Sequence, residues 1–287
     1  MWIKVLSVTF ALLVFAVLAI YFYGRYRWRS ETDAMRARMQ AAKRARAVRT
    51  YDVRELDALP APVQRYFRAA LTSGQSMVAA VDINITGAMR MSDNTKKWSP
   101  FTSNQRVVTQ RAAFDWNASI AMFPGINAYV HDAYIAGEGI LRAALLGAFT
   151  VAEMRGTKEA AHGEFMRFVA ECAWYPTRML PSQGATWTAI DDTSATLTIS
   201  DGETRATLLV RFGVDNLITS IRAEARGRLI NGVMSSAPWQ GRFWDYAERD
   251  GMHVPQQGEV AWVLAESAEP YWRGRVTSVR YEFESAA

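Results

Sequence analysis

The sequence lacks most of the motifs that identify an enzyme or a metalloprotein. Cys172 is the only cysteine, which excludes an internal disulfide, and the three histidines are too far apart for a zinc-ligand spacing. No serine lies in a Gly-x-Ser-x-Gly elbow, and Gly137-x-Gly139 lacks the third glycine of a phosphate-binding loop. The sequence therefore predicts no metal, no cofactor and no recognisable catalytic motif, which favours a protein that is not an enzyme.

Charge is missing from one long N-terminal run. Residues 5–23 contain no charged side chain, and their number is close to the roughly 20 apolar residues that cross a bilayer. Aromatic side chains typical of the membrane interface lie at the end of this run and just after it (Tyr21, Tyr23, Tyr26 and Trp28), and no small-x-small cleavage site of a signal peptide follows. We therefore predict a single-pass signal-anchor in residues 1–29, with its transmembrane helix over about residues 5–23.

The positive charge of the chain lies beside this anchor. The net charge is +5, but residues 1–49 hold ten basic against two acidic side chains, and the remaining 238 residues hold 23 basic against 26 acidic. The folded part is therefore mildly acidic, which argues against nucleic acid as a partner and leaves the lipid bilayer as the predicted partner of the helix. The positive-inside rule would place the domain on the cytoplasmic side of a bacterial inner membrane.

Residues 30–54 predict a basic, helical juxtamembrane linker. Ser30-Glu-Thr-Asp33 resembles a capping box, which would start a new helix. Arginines fall on every face of the segment that follows. Two interpretations stay open for this linker: a solvated spacer, or a segment attracted to anionic lipid headgroups.

Residues 55–287 predict a β-rich globular domain. Apolar Val81, Ile83 and Ile85 alternate with polar residues, which is typical of a strand with one solvated face. Similar patterns predict further strands over residues 105–110, 113–121, 127–136, 186–191, 195–200, 205–212, 217–225, 240–247, 259–264 and 275–283. Residues 140–149 fit a helix or a strand equally well. The strands do not alternate with helices, so an antiparallel arrangement is favoured over a doubly wound α/β fold.

Two helices are predicted within the domain. The first follows Pro62 and carries one apolar stripe that includes Val63, Tyr66 and Phe67. The second spans residues 158–174, with apolar and charged residues on different faces. The predicted fold class is α+β: a large curved antiparallel β-sheet, half-barrel-like, with one or two covering helices, preceded by the N-terminal transmembrane helix.

Several motifs are similar to those of an uncharacterised bacterial family, a conserved domain of unknown function. They are Leu59-Pro-x-Pro-Val-Gln-Arg-Tyr66, Trp98-x-Pro-Phe101, Phe114-x-Trp116, Asp132-x-Tyr134-x-x-Gly137-x-Gly139, Glu164-x-x-Arg167-x-x-x-Glu171-x-x-Trp174-x-Pro176, Pro238-Trp-x-Gly241 and Pro270-Tyr-Trp-Arg-Gly274. The resemblance covers nearly all of residues 55–283 and implies membrane or envelope association, but no activity. The pattern of sheet and helix also resembles the lipoprotein-carrier (LolA-type) half-barrel, which holds acyl chains in its concave face. This second resemblance favours the side of the membrane opposite to that favoured by charge.

One charged stripe and four aromatic residues are the candidate site. Glu164, Arg167 and Glu171 share a helix face at spacings of three and four, so the arginine can pair with either carboxylate. The two carboxylates are candidates for a general acid and base, but an arginine between them favours a structural cluster that fastens the helix to the sheet. The aromatic candidates for a ligand cavity are Trp116, Trp174, Trp239 and Tyr246. His131 and Asp132 are neighbours on a strand and should face opposite ways, so we predict a structural histidine rather than a proton relay.

These features predict a membrane-anchored, non-enzymatic binding module for a lipid-like or other hydrophobic ligand. Two alternatives stay open. One is a hydrolase that uses Glu164 and Glu171, and the other is an envelope scaffold that binds a protein partner of unknown identity.

Overall fold

The computed structural model describes residues 1–42, 49–91, 96–230, 233–264 and 267–284. The strands in these ranges form one antiparallel sheet of 13 strands. They are β1 Val78–Met89, β2 Ser99–Val108, β3 Ala113–Phe123, β4 Ile126–Ile135, β5 Glu138–Leu145, β6 Phe149–Arg155, β7 Thr186–Asp191, β8 Ser194–Asp201, β9 Thr204–Phe212, β10 Ile218–Ile230, β11 Val233–Arg249, β12 Met252–Leu264 and β13 Ser267–Phe283.

The sheet consists of two meanders joined side by side. Strands β1 to β6 follow one another outwards in one direction, strands β13 to β7 in the other, and β1 pairs with β13 at the seam. This arrangement confirms the predicted α+β fold with a large antiparallel sheet. The ambiguous residues 140–149 lie in β5, the following turn and the first residue of β6, and β6 itself was not predicted because its exposed residues show no alternation.

Two helices cover the inner face of the sheet, as predicted. They are α2 Ala61–Ala70 and α3 Lys158–Ala170; 3₁₀ turns span Val53–Leu56, Glu171–Trp174, Pro176–Met179 and Pro181–Gln183. The hydroxyl of Thr157 caps α3 by accepting the N–H of Ala160 at 3.1 Å. Gly139 of β5 lets α3 approach closely, because a Cβ there would lie 2.3 Å from the backbone carbon of Ala160. Since α3 contacts both β5 and β9, the sheet curves around it.

The N-terminal helix differs from the prediction. Helix α1 is continuous over Trp2–Ala41, so Ser30 lies inside it and caps nothing. Its first half is exposed, and among the described residues it is the one helix long and apolar enough to cross a membrane. Its second half packs on the outer face of β2, β3 and β4 and buries Trp28, Thr32 and Met39.

Of the two interpretations left open for the linker, a solvated spacer does not describe the part up to Ala41, which packs on the sheet. Arginines on every face suggested solvation, but several of them have acidic partners on the sheet. Arg36 lies 3.2 Å from the buried Asp115 carboxylate, and Arg38 lies 2.7 Å from Glu138. The basic residues of the second half of α1 thus serve in part to hold the helix on the domain.

Candidate functional site

One row of the sheet supplies three side chains to the inner face. Gln105 of β2 is directly opposite Trp116 of β3, which is directly opposite Asp132 of β4. Directly opposed residues of antiparallel strands lie on the same face, so the three side chains project together towards α3. The neighbouring His131 projects to the outer face, as alternation requires.

His131 is a structural residue, as predicted. Its ring is fully buried, and Nδ1 lies 2.7 Å from Oδ1 of Asp115 while Nε2 lies 3.0 Å from the hydroxyl of Thr32. The Trp28 ring stacks on it at 4.4 Å. These contacts belong to the docking of α1, and they are separated from Asp132 by the thickness of the sheet.

Arg167 is the centre of the inner cluster. Its Nε donates to Oε1 of Glu171 at 2.7 Å, and its Nη1 donates to Asp132. The other oxygen of Glu171 accepts the amide of Gln105 at 2.5 Å, and the guanidinium lies 5.1 Å from the ring centre of Trp116. Burial alone would lower the pKa of Arg167, but the surrounding carboxylates raise it, so this side chain stays charged.

Glu164 lies one helical turn before Arg167 and pairs differently from the expectation. Its Oε1 lies 3.9 Å from the guanidinium of Arg226 on β10, and its carboxyl hydrogen-bonds to Asp132. Burial, followed by the charge of Asp132, raises the pKa of Glu164 well above its ordinary value. The guanidinium of Arg226 lies 4.7 Å from the ring centre of Trp239. The inner cluster therefore holds one carboxyl, that of Glu164, whose raised pKa favours the neutral form. It also holds two guanidinium groups, those of Arg167 and Arg226, each packed against an indole ring.

A cavity of about 90 Å³ lies between this cluster and strands β11, β12 and β13. Six of its seventeen lining residues are aromatic and six are charged. Its lining is Met89, Trp116, Asp132, Arg167, Ala170, Glu171, Trp174, Arg226, Trp239, Gly241, Arg242, Phe243, Gly258, Glu259, Val260, Tyr271 and Trp272. Gly241 of β11 lies opposite Val260 and Gly258 of β12 lies opposite Phe243, and both glycines provide space without contributing side-chain atoms.

One polar atom of the cavity wall is buried without a partner. Trp174 donates its indole N–H to the carbonyl of Pro255 at 2.9 Å, and Trp239 donates to the hydroxyl of Tyr271 at 2.9 Å. By contrast, Nε1 of Trp116 has no hydrogen-bond partner among the described residues, whereas Asp132 is bonded by Arg167 and by the carboxyl of Glu164. Buried polar groups are nearly always satisfied, so a donor remains available on the wall of this cavity.

The structure brings five of the seven predicted site residues together. Those that line the cavity are Trp116, Arg167, Glu171, Trp174 and Trp239. Glu164 lies behind them, and Tyr246 lies elsewhere, where its hydroxyl donates to the carbonyl of Ile218 at 2.7 Å. The second carboxylate on Arg167 is thus Asp132 rather than Glu164.

Sequence reasoning missed Asp132, Arg226, Tyr271 and Trp272 as lining residues. Alternation placed Asp132 on the face opposite His131, and that signal was available from the strand pattern. The position of Arg226 had no such signal, because a bulge between Ala223 and Arg226 shifts the register of β10 against β11. Among the residues that the structure describes, no group of three or more histidine, cysteine or acidic side chains is arranged to hold a metal ion.

Solved structures and a family model are similar to the chain. It is similar to the crystal structure of a LolA superfamily protein from Nitrosomonas europaea, at a TM-score of 0.33 and 9% identity, over 78% of this chain and 94% of that chain. It is also similar to a beta-barrel-like protein of the domain of unknown function DUF1849 from Brucella abortus, at a TM-score of 0.23 and 7% identity, over 72% and 99%. No functionally curated protein matches it. A model of a family of unknown function, DUF6920, matches residues 57–281. This match confirms the predicted resemblance to a domain of unknown function, and the chain belongs to the DUF6920 family.

Proposed function

We propose that the chain is a membrane-anchored, non-enzymatic binding module for a lipid-like ligand, and that the cavity beside Arg167 is its site. The observation that carries the proposal is the cavity wall, where aromatic rings lie around one buried donor without a partner, Nε1 of Trp116. Ligand sites are typically apolar concavities with a few fixed polar groups.

The size of the cavity limits what enters it. At about 90 Å³ it is smaller than the roughly 150 Å³ cavity that admits benzene. A whole lipid does not fit, so the ligand would insert one small apolar part and leave the rest outside. Nε1 of Trp116 can donate to an oxygen beside this part, so a neutral group with an acceptor oxygen, such as a hydroxyl or an amide, suits the site.

The exposed first half of α1 supports the anchor. It is uncharged over residues 5–23 and fully exposed outside the domain, as a helix in contact with lipid would be. The positive charge beside it favours a bacterial inner membrane with the domain on the cytoplasmic side. Protease treatment of intact spheroplasts tests the side: the domain should be protected, and cleavage without lysis would place it outside.

The hydrolase alternative has less support. Both oxygens of Glu171 are engaged, one by Arg167 and one by Gln105, which leaves this carboxylate poorly placed to take a proton from water. Glu164 does not line the cavity.

Lipid analysis of the purified full-length protein tests the binding proposal. The protein is extracted with organic solvent, and lipids enriched over the bulk membrane are quantified by mass spectrometry. Gly241→Val fills the cavity with a residue that suits a strand, because a Cβ there meets its nearest neighbour at 3.6 Å. Thr188→Val, at an exposed position of β7, is the matched control.

The wild-type protein and Thr188→Val should carry about one enriched lipid-like molecule per chain, and Gly241→Val should lose most of it without a change in thermal unfolding. An empty wild-type protein, or equal occupancy in Gly241→Val, would contradict the assignment. An empty protein would favour the scaffold alternative.

A further inference from the structure

Two adjacent hairpins expose apolar side chains at their tips. Phe123 and Ile126 flank the β3–β4 turn, with 66% and 39% of their surface exposed. Phe149 and Val151 follow the β5–β6 turn, with 53% and 57% exposed. Single exposed apolar residues are ordinary, but four of them on neighbouring tips mark an interaction surface.

Helix α1 leaves the domain at these tips. Gly24 fits against the β5–β6 turn so closely that a Cβ would lie 2.2 Å from the carbonyl oxygen of Leu146. One turn further along the helix, Nη1 of Arg27 donates to the carbonyl of Ala148 at 3.2 Å. Phe149 follows Ala148 in the chain, so its exposed ring lies level with Gly24, the first residue after the uncharged residues 5–23.

The β3–β4 tip reaches further along the helix. Near its start, β4 places Tyr129 beside Trp28, with ring centres 5.7 Å apart, and near its end it places Ile135 beside Met39. Helix and strand are therefore nearly parallel. Gly125 at the tip lies four residues before Tyr129, a distance of about 13 Å along an extended strand. The same distance covers roughly nine residues of helix, counted back along α1 from Trp28. The tip thus lies beside the last turns of the uncharged run.

The charges around the tips suit a lipid surface. Lys96 and Lys97 are exposed, and Nζ of Lys97 lies 5.9 Å from the ring centre of Phe123. Arg25 is exposed on the adjacent turn of α1. Basic side chains beside exposed aromatic rings are typical of segments that lie in the interface of a membrane with anionic lipids.

We propose that the β3–β4 and β5–β6 tips enter the interfacial layer of the bilayer that α1 crosses. The domain then rests on the lipid surface in one orientation rather than moving freely on a tether. This inference depends on the proposed anchor, because the tips share their level with the end of the uncharged run. Its partner is the lipid bilayer itself.

Depth-dependent quenching in vesicles tests the contact with the full-length chain. The buried Cys172 is replaced by alanine, and a polarity-sensitive fluorophore is attached to a single new thiol in vesicles of phosphatidylcholine and phosphatidylglycerol. Phe149→Cys reports the tip and Leu13→Cys reports the middle of the uncharged run. Val214→Cys is the control, because it is fully exposed in the turn between β9 and β10, at the opposite end of the strands.

Nitroxide lipids should quench the probes at positions 149 and 13 and shift their emission to shorter wavelength, while position 214 stays as in water. Quenching at 13 with position 149 unchanged would overturn the tip contact and leave the anchor in place. No quenching at either position would overturn both the anchor and the tip contact. Equal quenching at 149 and 214 would mean adsorption in no fixed orientation and would also overturn the proposal.

Discussion

Removal of Met39 tests the docking of α1 on the sheet. Met39 is 1% exposed and packs among residues of the outer sheet face, Ala80, Val108, Ala113, Ala133, Ile135 and Ile140. Truncation of a buried methionine to alanine typically costs about 2–5 kcal/mol. Because this cluster contains no residue of the inner core, Met39→Ala should weaken the attachment of α1 rather than unfold the sheet. The equilibrium constant for separation of the second half of α1 from the sheet should rise by roughly 30- to several-thousand-fold.

The three histidines provide the assay. His131 is fully buried beneath α1, where it contacts Thr32, seven residues before Met39, whereas His162 and His253 are exposed. Carbethoxylation of His131, followed by mass spectrometry, therefore reports undocking, and the two exposed histidines are internal references. Gln40→Ala changes the exposed neighbour of Met39 and should leave the rate unchanged. If Met39→Ala modified His131 no faster than Gln40→Ala did, the docking energy assigned to this cluster would be wrong.

Three further predictions concern single positions. Gly24→Ala should loosen α1, because the added Cβ would lie 2.2 Å from a backbone oxygen. Gly163→Ala should instead raise the free energy of unfolding by about 0.5–1 kcal/mol, because its Cβ would have no neighbour within 4 Å and alanine favours a helix. Thermal unfolding distinguishes the two variants. Folding raises the pKa of Glu164 above its ordinary value of 4.5, so the folded protein binds this proton more tightly than the unfolded chain does. The free energy of unfolding should therefore fall as the pH rises above about 4.5. Glu164→Gln should abolish this decline in denaturant titrations and be more stable than the wild-type protein at pH 8. Arg167→Ala should cost about 3–5 kcal/mol in the same assay because it leaves two carboxylates without their cation, and a loss below 1 kcal/mol would show that the cluster does not fasten α3.

Alternation within strands could be predicted from the sequence because it depends on local geometry alone. The opposite orientations of His131 and Asp132 follow from the two-residue period, without knowledge of the partner strand. The helix predicted over residues 158–174 follows from spacings of three and four, and it is α-helical over Lys158–Ala170 with a 3₁₀ turn over Glu171–Trp174. The pairing of Arg167 with Glu171 was predictable in the same way. Its pairing with Asp132 was not, because Asp132 reaches Arg167 only through the sheet register and the curvature of the sheet around α3.

The extent of α1 was also beyond sequence reasoning. Trp28, Thr32 and Met39 recur at intervals that fit one helix face, but the arginines between them hid this stripe. Their partners, such as Asp115 and Glu138, lie about 80 to 100 residues away in the chain. Ion pairs between distant residues have no local pattern, so a helix held on by them looks like a solvated linker.

The two features of the domain meet in the same three strands. The inner face of β2, β3 and β4 lines or supports the cavity through Gln105, Trp116 and Asp132. A residue adjacent to each of these in the chain points to the outer face and contacts α1. Asn104 accepts from Arg36 at 2.5 Å, Asn117 accepts from Trp28 at 2.9 Å, and His131 bonds Thr32. Opposed rows one residue apart cannot slip independently, because a register shift in any strand would move both at once. Helix α1 and the cavity are therefore held in one fixed relation by the sheet between them, so the proposed ligand would enter the cavity at a constant position relative to α1.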